Sequence, residues 1–330
     1  MKNYAYSSVL KEEFQNFLKF RQAQGFIDKN CYVWQKLDMY LADNAINEKI
    51  ISSDIVENWI SVCCKGLDNG SVESFISMYN AFAKYLNSID IPAYIQPRPL
   101  NIRRNYTPYI FSYEEIKRLF ELADSGRSSK DKLSKVQFPI IMRMLYGCGL
   151  RLGEALVLKK SDVDLVEGTL FVRNGKGDKD RIVPMAPTLS TLVKQYFNAT
   201  IKEKPDASYV FESNYRDGRR NCIGNHRSSS WATGNFSRLL MIAGISVPTK
   251  NHERGVCLHC LRHTFIQHSL KKHTDNGNTS YQALPMISIY VGHEDLTETQ
   301  DYVHMTDCIS EEIIDKTSNK YKNIFPEVPK

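Results

Sequence analysis

No stretch of this chain comes near the roughly 18 consecutive apolar residues that a helical membrane crossing requires, and Pro285 and Gly292 interrupt its most apolar late segment. Glycine (17 of 330) and proline (12) are too sparse for a collagen-like rod, and no internal repeat or low-complexity tract is present. The chain opens without a basic-then-apolar export segment. Its eight cysteines, Cys31, Cys63, Cys64, Cys148, Cys222, Cys257, Cys260 and Cys308, are scattered, so reduced thiols and an intracellular protein are expected rather than a disulfide-stapled scaffold. Charge of one sign is scarce as well. Forty-three basic against 37 acidic residues leave +6, which permits a polyanionic partner without establishing one. What is present is 42% hydrophobic residues, enough to exclude general disorder and, at this length, to build two domains.

Apolar residues recur at helical spacing through the first third of the chain. Leu10, Phe14, Phe17 and Leu18 mark a helix over Val9–Ala23, with Ser7 and Ser8 as caps and Gly25 as its stop. Further helices are predicted over Val33–Leu41, Ile55–Cys63 and Phe75–Leu86, giving a small bundle. Pro92, Pro97, Pro99 and Pro108 then remove amide donors repeatedly, so Ile91–Phe111 reads as an extended connector. A boundary falls there, between domains 1–102 and 103–330. Ser112 and Glu115 form a capping box at the start of the second domain.

Helices are predicted over Phe138–Tyr146 and Leu152–Leu158, after which the period shortens. Leu170 to Val172 and Ile182 with Val183 flank a polar turn, a hairpin that displays Lys176. Four more helices follow, at Leu189–Phe197, Trp231–Ala243, Leu258–Leu270 and Leu284–Val291. The expected fold is mainly α with a small β-sheet, an N-terminal helical domain followed by a mixed α/β domain.

Splitting the charge at residue 102 leaves 10 basic and 11 acidic side chains before it and 33 and 26 after it. The second domain carries the excess. Candidate phosphate contacts there are Arg103 and Arg104 beside the connector, Arg216, Arg219 and Arg220 in a loop, and Lys271 with Lys272 at a helix end. In the nearly neutral first domain, local placement of Arg21, Lys29 and Lys84 matters more than net charge.

Three segments carry the chemistry: Tyr146-Gly-Cys-Gly-Leu-Arg151-Leu-Gly-Glu154, His259-Cys-Leu-Arg262-His263, and Gly292-His293 with Tyr302 nine residues after that histidine. On a helix His259 and Arg262 lie about one turn apart and address one side. Two guanidinium forks, on Arg151 and Arg262, suit two non-bridging phosphate oxygens.

These segments resemble the tyrosine recombinase family, the phage-type integrases and bacterial Xer-like resolvases. Arg151 and Glu154 match its Gly-Leu-Arg-x-x-Glu signature, Lys176 its hairpin lysine, and His259 with Arg262 its His-x-x-Arg pair. Gly292-His293 matches its Gly-His element and Tyr302 its nucleophile. The likeness covers about two-thirds of the chain directly, and the first domain resembles the family's core-binding domain by position and size. It departs in two places. Arg262 and His293 are 31 residues apart, with polar His273–Ser280 as the apparent insertion, and Gly153 stands where many relatives carry serine.

The resemblance implies a site-specific DNA recombinase. Tyr302 attacks a backbone phosphorus, displaces the 5′-oxygen and forms a 3′-phosphotyrosine that another strand's 5′-hydroxyl reverses. Arg151 and Arg262 stabilise the non-bridging oxygens, and Lys176 is the candidate general acid. His259 accepts the Tyr302 proton or bonds to phosphate, His293 donates to a non-bridging oxygen, and Glu154 orients the arginine and histidine network. No cofactor is implied. The partners would be duplex DNA, bound by a free monomer that assembles as four protomers on two sites, and an accessory DNA-bending protein; the setting is the cytoplasm, on nucleoid DNA.

Other readings stay open. Integration or excision of a mobile element is preferred over chromosome-dimer resolution. A topoisomerase-like relaxer would use the same intermediate, and a DNA-binding regulator would have an inactive nucleophile. Cys257, His259, Cys260 and His263 have zinc-like spacing, but a regular helix turns Cys257 and His259 about 200° apart and no second cysteine pair is near, so no metal is assigned. The tail beyond Tyr302 either packs on its own domain or docks in a neighbour.

Overall fold

The computed structural model describes residues 4–26, 31–67, 69–97, 108–129, 131–173, 175, 179–214, 216–217, 220–221, 223–245, 255–293, 300 and 302. The chain divides into two compact units, Met1–Tyr106 and Thr107–Lys330. It is mainly helical, with one small three-stranded antiparallel sheet.

In the first unit, α1 (Lys11–Ala23), α2 (Tyr32–Asp43), α3 (Ser53–Cys63) and α4 (Asn69–Ser88) bury an aromatic core that includes Phe14, Phe17, Trp34, Trp59, Tyr79 and Phe82. Each helix turns one apolar stripe inward. The fully buried Asp38 ties down the entering chain: its carboxylate accepts from the Ser7 and Ser8 amides and the Tyr4 hydroxyl at 2.9–3.2 Å. At the other end, the connector does not start at Ile91. Asn87 pairs through its side-chain amide with both backbone groups of Ala93, and Asn80 does the same with Gln96, so residues up to 96 belong to this bundle. Proline spacing marks lost amide donors but is blind to side chains that supply replacement partners.

The second unit opens with α5 (Tyr113–Asp124), whose capping box pairs Ser112 with Glu115. The central helix α6 (Lys132–Gly147) starts earlier than its apolar run because Asp131 caps it, accepting from the Ser134 amide. After α7 (Leu152–Leu156) come β1 (Val163–Asp164), β2 (Thr169–Val172) and β3 (Arg181–Pro184), in spatial order β1-β2-β3. Leu170 faces Val183 and Val172 faces Arg181 across the second pairing. Alternation buries Leu170, Val172 and Val183, and it turns Arg181, two residues before Val183, toward the same interior side.

The chain continues through α8 (Pro187–Thr200), β4 (Arg216–Asp217), β5 (Arg220–Asn221), α9 (Ser229–Ala243), α10 (His259–Asp275) and α11 (Ser280–Val291). Two expectations change. Arg216 and Arg220 lie not in a loop but in paired antiparallel strands, with Arg216 opposite Asn221 and Asp217 opposite Arg220. The helix expected to end at Leu270 also runs further, into the polar segment His273–Ser280. α10 runs on through Asp275, with Lys272 and His273 in its last turn where cations suit the helix dipole, and Ser280 already begins α11. Among the described residues no helix is long and apolar enough to cross a membrane.

Candidate active site

A glycine turn between α6 and α7 fixes the first arginine. Gly149 has φ +59°, and a Cβ there would lie 2.6 Å from the Phe265 ring of α10. No other residue combines that backbone with that approach. The turn delivers Arg151 to the N-cap of α7, where its guanidinium donates to Glu154 Oε1 and to the Gly292 carbonyl, both at 3.0 Å. The same turn offers the Gly149 carbonyl to Arg262 Nη1 at 2.7 Å.

Glu154, 8% exposed, is the anchor. It accepts the Arg151 amide at 2.9 Å and a two-pronged contact from Arg181 at 3.0 and 2.8 Å. Burial alone would push this carboxyl up, but the hydrogen bonds from Arg181 and the Arg151 amide, with the Arg181 charge, outweigh it and hold it down at about 2. Arg181 also donates to the Tyr290 carbonyl at 3.2 Å. Its guanidinium fills the space a side chain on Gly292 would need: a Cβ at that left-handed residue (φ +71°) would come within 3.1 Å of it. Arg181 thereby joins the hairpin, α7 and the end of α11. It is not singled out from the sequence, although its position two residues before Val183, on the same face of β3, was a signal.

Arg262 is 1% exposed and lies on α10. One guanidinium nitrogen bonds to Gly149, while Nη2 is buried with no hydrogen-bond partner among the described residues. Burial first, then the charges of Arg151 and Arg181, push its pKa down to about 9, opposed by Glu154 and Tyr302. It remains cationic at neutral pH, a desolvated donor suited to an anion.

Tyr302 is 6% exposed against Ile266, Leu270 and Leu284, and its hydroxyl hydrogen-bonds to Nδ1 of His263. The His259 ring stands edge-on to His263 with centroids 4.5 Å apart. His263, considered in the sequence only as a metal-site member, is therefore the histidine at the phenol. The i,i+4 spacing from His259 was the available signal. The Cys257 and Cys260 sulfurs are 3.9 Å apart, and no group of three or more His, Cys, Asp or Glu side chains among the described residues is placed to hold a metal ion.

The structure thus brings Arg151, Glu154, Arg262 and the Gly292 turn together, with Tyr302 and His259 grouped at His263. His293 follows that turn, its amide donating to the Ser288 carbonyl at 3.0 Å. Lys176 lies outside the described residues. Its neighbour Gly175 is described, and a Cβ there would come within 3.3 Å of Arg181 and 3.8 Å of Glu154.

Of the candidate phosphate contacts, Lys84, Lys271 and Lys272 are exposed. Arg21 lies over the rings of Phe17, Phe26 and Trp34, at 4.4–5.6 Å from their centroids. Arg216 and Arg220 are placed by backbone in β4 and β5. Lys29, Arg103, Arg104 and Arg219 lie outside the described residues.

Comparison with known proteins bears on the family and the fold. The Phage integrase family profile matches residues 110–308. Tyrosine recombinase XerD of Rickettsia bellii is 28% identical over 89% of this chain and 94% of its own length. Tyrosine recombinase XerA of Thermococcus kodakarensis is 30% identical over 73% of each chain. The fold is also that of XerH site-specific recombinase in a post-cleavage complex with palindromic difH substrate, at TM-score 0.63 and 20% identity, covering 96% of this chain and 85% of that one.

Proposed function

The chain belongs to the phage integrase family of tyrosine recombinases, enzymes that cut and rejoin DNA strands, and from that premise we propose a site-specific recombinase acting through a 3′-phosphotyrosine on Tyr302. One observation carries the assignment of the phosphate site: the buried, half-satisfied guanidinium of Arg262, held on the Gly149 turn that also delivers Arg151, with the Tyr302 hydroxyl bonded to His263, the next residue after Arg262. A scissile phosphodiester supplies the anion such donors require. Stabilising its oxygens as negative charge builds lowers the barrier, and loss of one such donor costs about 2–4 kcal/mol.

In this reading Glu154 and Arg181 hold Arg151 in place, Lys176 protonates the departing 5′-oxygen, and His293 donates to a non-bridging oxygen. His259 is retained as a phosphate or proton-transfer partner. Duplex DNA is held through cations on both units, with Arg21, Lys29, Lys84, Arg103, Arg104, Arg216, Arg219, Arg220, Lys271 and Lys272 as candidates. Four protomers act on two sites, and the enzyme works on nucleoid DNA in the cytoplasm.

The finer role is integration or excision of a mobile element. What supports it over dimer resolution is the 31-residue span from Arg262 to His293, within which α10 runs to Asp275. Incubating DNA ends taken from the flanks of the coding region with the protein, and sequencing joined products, separates the two. Cleavage itself is tested with an interrupted suicide substrate: wild type should accumulate a covalent adduct and Tyr302→Phe none. An undiminished adduct in the variant would reject Tyr302 as nucleophile.

A further inference from the structure

We propose that His263, the residue after Arg262, is the proton acceptor for the Tyr302 hydroxyl. This rests on the recombinase reading above and deepens it, since that reading left the acceptor undecided.

A phenol with an ordinary pKa near 10 is neutral at physiological pH, so its attack on phosphorus needs a base that takes the proton as the bond forms. Such a base must be within hydrogen-bond reach of the phenolic oxygen. His263 Nδ1 is: it shares a hydrogen bond with the Tyr302 hydroxyl, and the two rings lie 5.6 Å apart between centroids with a 35° tilt. For the hydroxyl to donate, Nδ1 must be the acceptor, and the imidazole's own proton then stands on Nε2.

The site is built to hold this pairing. His263 sits on α10 between Arg262, which anchors the helix to the Gly149 carbonyl, and Thr264, whose hydroxyl accepts the Phe111 amide at 3.0 Å. The His259 ring packs against the imidazole one turn back, nearly perpendicular to it. Apolar Ile266, Leu270 and Leu284 enclose the tyrosine side, so little water competes for the phenolic proton.

The step balances without an added reagent. The Tyr302 oxygen–phosphorus bond forms as the O–H bond breaks and its proton passes to His263 Nδ1. The phosphorus–O5′ bond breaks, and the 5′-oxygen takes a different proton, from Lys176 in the assignment above. Rejoining runs the same transfers backward: the imidazolium returns its proton to the departing phenolate.

The test uses the full chain and a suicide DNA substrate under single-turnover conditions. His263→Phe, which keeps an aromatic ring against Tyr302, should slow adduct formation about 10²-fold or more while DNA affinity is unchanged. Replacing Tyr302 with a fluorinated, more acidic tyrosine should restore roughly tenfold or more of that loss, because a readily ionised phenol depends less on a base. Sulfur in place of the bridging 5′-oxygen should restore none, since it relieves the leaving group alone. A rate within about threefold of wild type, or a loss that fluorination leaves untouched, overturns the proposal.

A DNA-free measurement keeps the pairing accessible. In ¹⁵N-histidine spectra, Tyr302→Phe should shift the His263 Nδ1 resonance, and an unmoved resonance also overturns it. Absence of any wild-type adduct on sites the protein binds would instead remove the recombinase reading and this role with it. A wild-type adduct indifferent to His263 removes this role alone.

Discussion

A carboxylate held at about 2 between two guanidinium groups neither gives nor takes a proton near neutrality, so Glu154 contributes as a fixed anion. Its folded pKa lies below the ordinary value of 4.5. The stability it adds is therefore complete above that value and is lost as pH falls through about 2. After discounting for solvent at the arginine heads, this amounts to about 2 kcal/mol. Glu154→Gln should be less stable than wild type by about that amount at pH 7, and the gap should close between pH 4.5 and 2 in urea titrations at stepped pH. A gap that stays constant down to pH 2 would mean the ion pairs contribute nothing. Gly153, next to this anchor, is a milder case. A Cβ there would meet nothing within 4 Å and its backbone is ordinary helix, so Gly153→Ala should stabilise the protein by about 0.4–1 kcal/mol by restricting the unfolded chain. Thermal denaturation reads the sign directly.

At the scale of elements, the site depends on two left-handed glycines that let helices approach. Gly149→Ala puts a methyl group into the Phe265 ring and forces φ +59° on a residue that disfavours it, at a combined cost of about 2–4 kcal/mol in chemical denaturation. Pairing it with Phe265→Leu should recover the packing share and leave the backbone share. The helices around that turn were legible because their apolar spacing is regular and their caps are side chains: Ser112 with Glu115 can be read directly from the sequence. β1 was not legible, because two residues carry no alternation. The end of α10 was missed because its apolar face stops at Leu270 while the helix continues on polar residues to Asp275. The site was legible in part. Arg151, Glu154 and Arg262 announce themselves by type and spacing. Arg181 and His263 matter through contacts to Glu154 and Tyr302 across 27 and 39 positions, which spacing along one element does not encode.

Over the whole chain, net charge is a poor guide to where a polyanion would be held. The first 102 residues carry 10 basic side chains yet sum to slightly negative, and among them Arg21 packs its charge over aromatic rings while Lys84 is exposed. If this bundle grips DNA, it does so through a few placed cations. Each phosphate neutralised releases counterions and steepens the fall of log affinity with log salt by about 0.9. The unit beginning at Thr107 has its own core, from Phe111 to Leu261, and should fold when expressed alone. Its affinity for a bound site should then fall less steeply with salt than that of the full chain, by a slope difference of about 2–3, corresponding to two or three lost phosphate contacts. Filter binding or anisotropy between low and physiological salt measures both slopes. Coincident slopes would show that the N-terminal bundle contributes no phosphate contacts, leaving the basic excess of the second unit to carry the electrostatic part of binding alone.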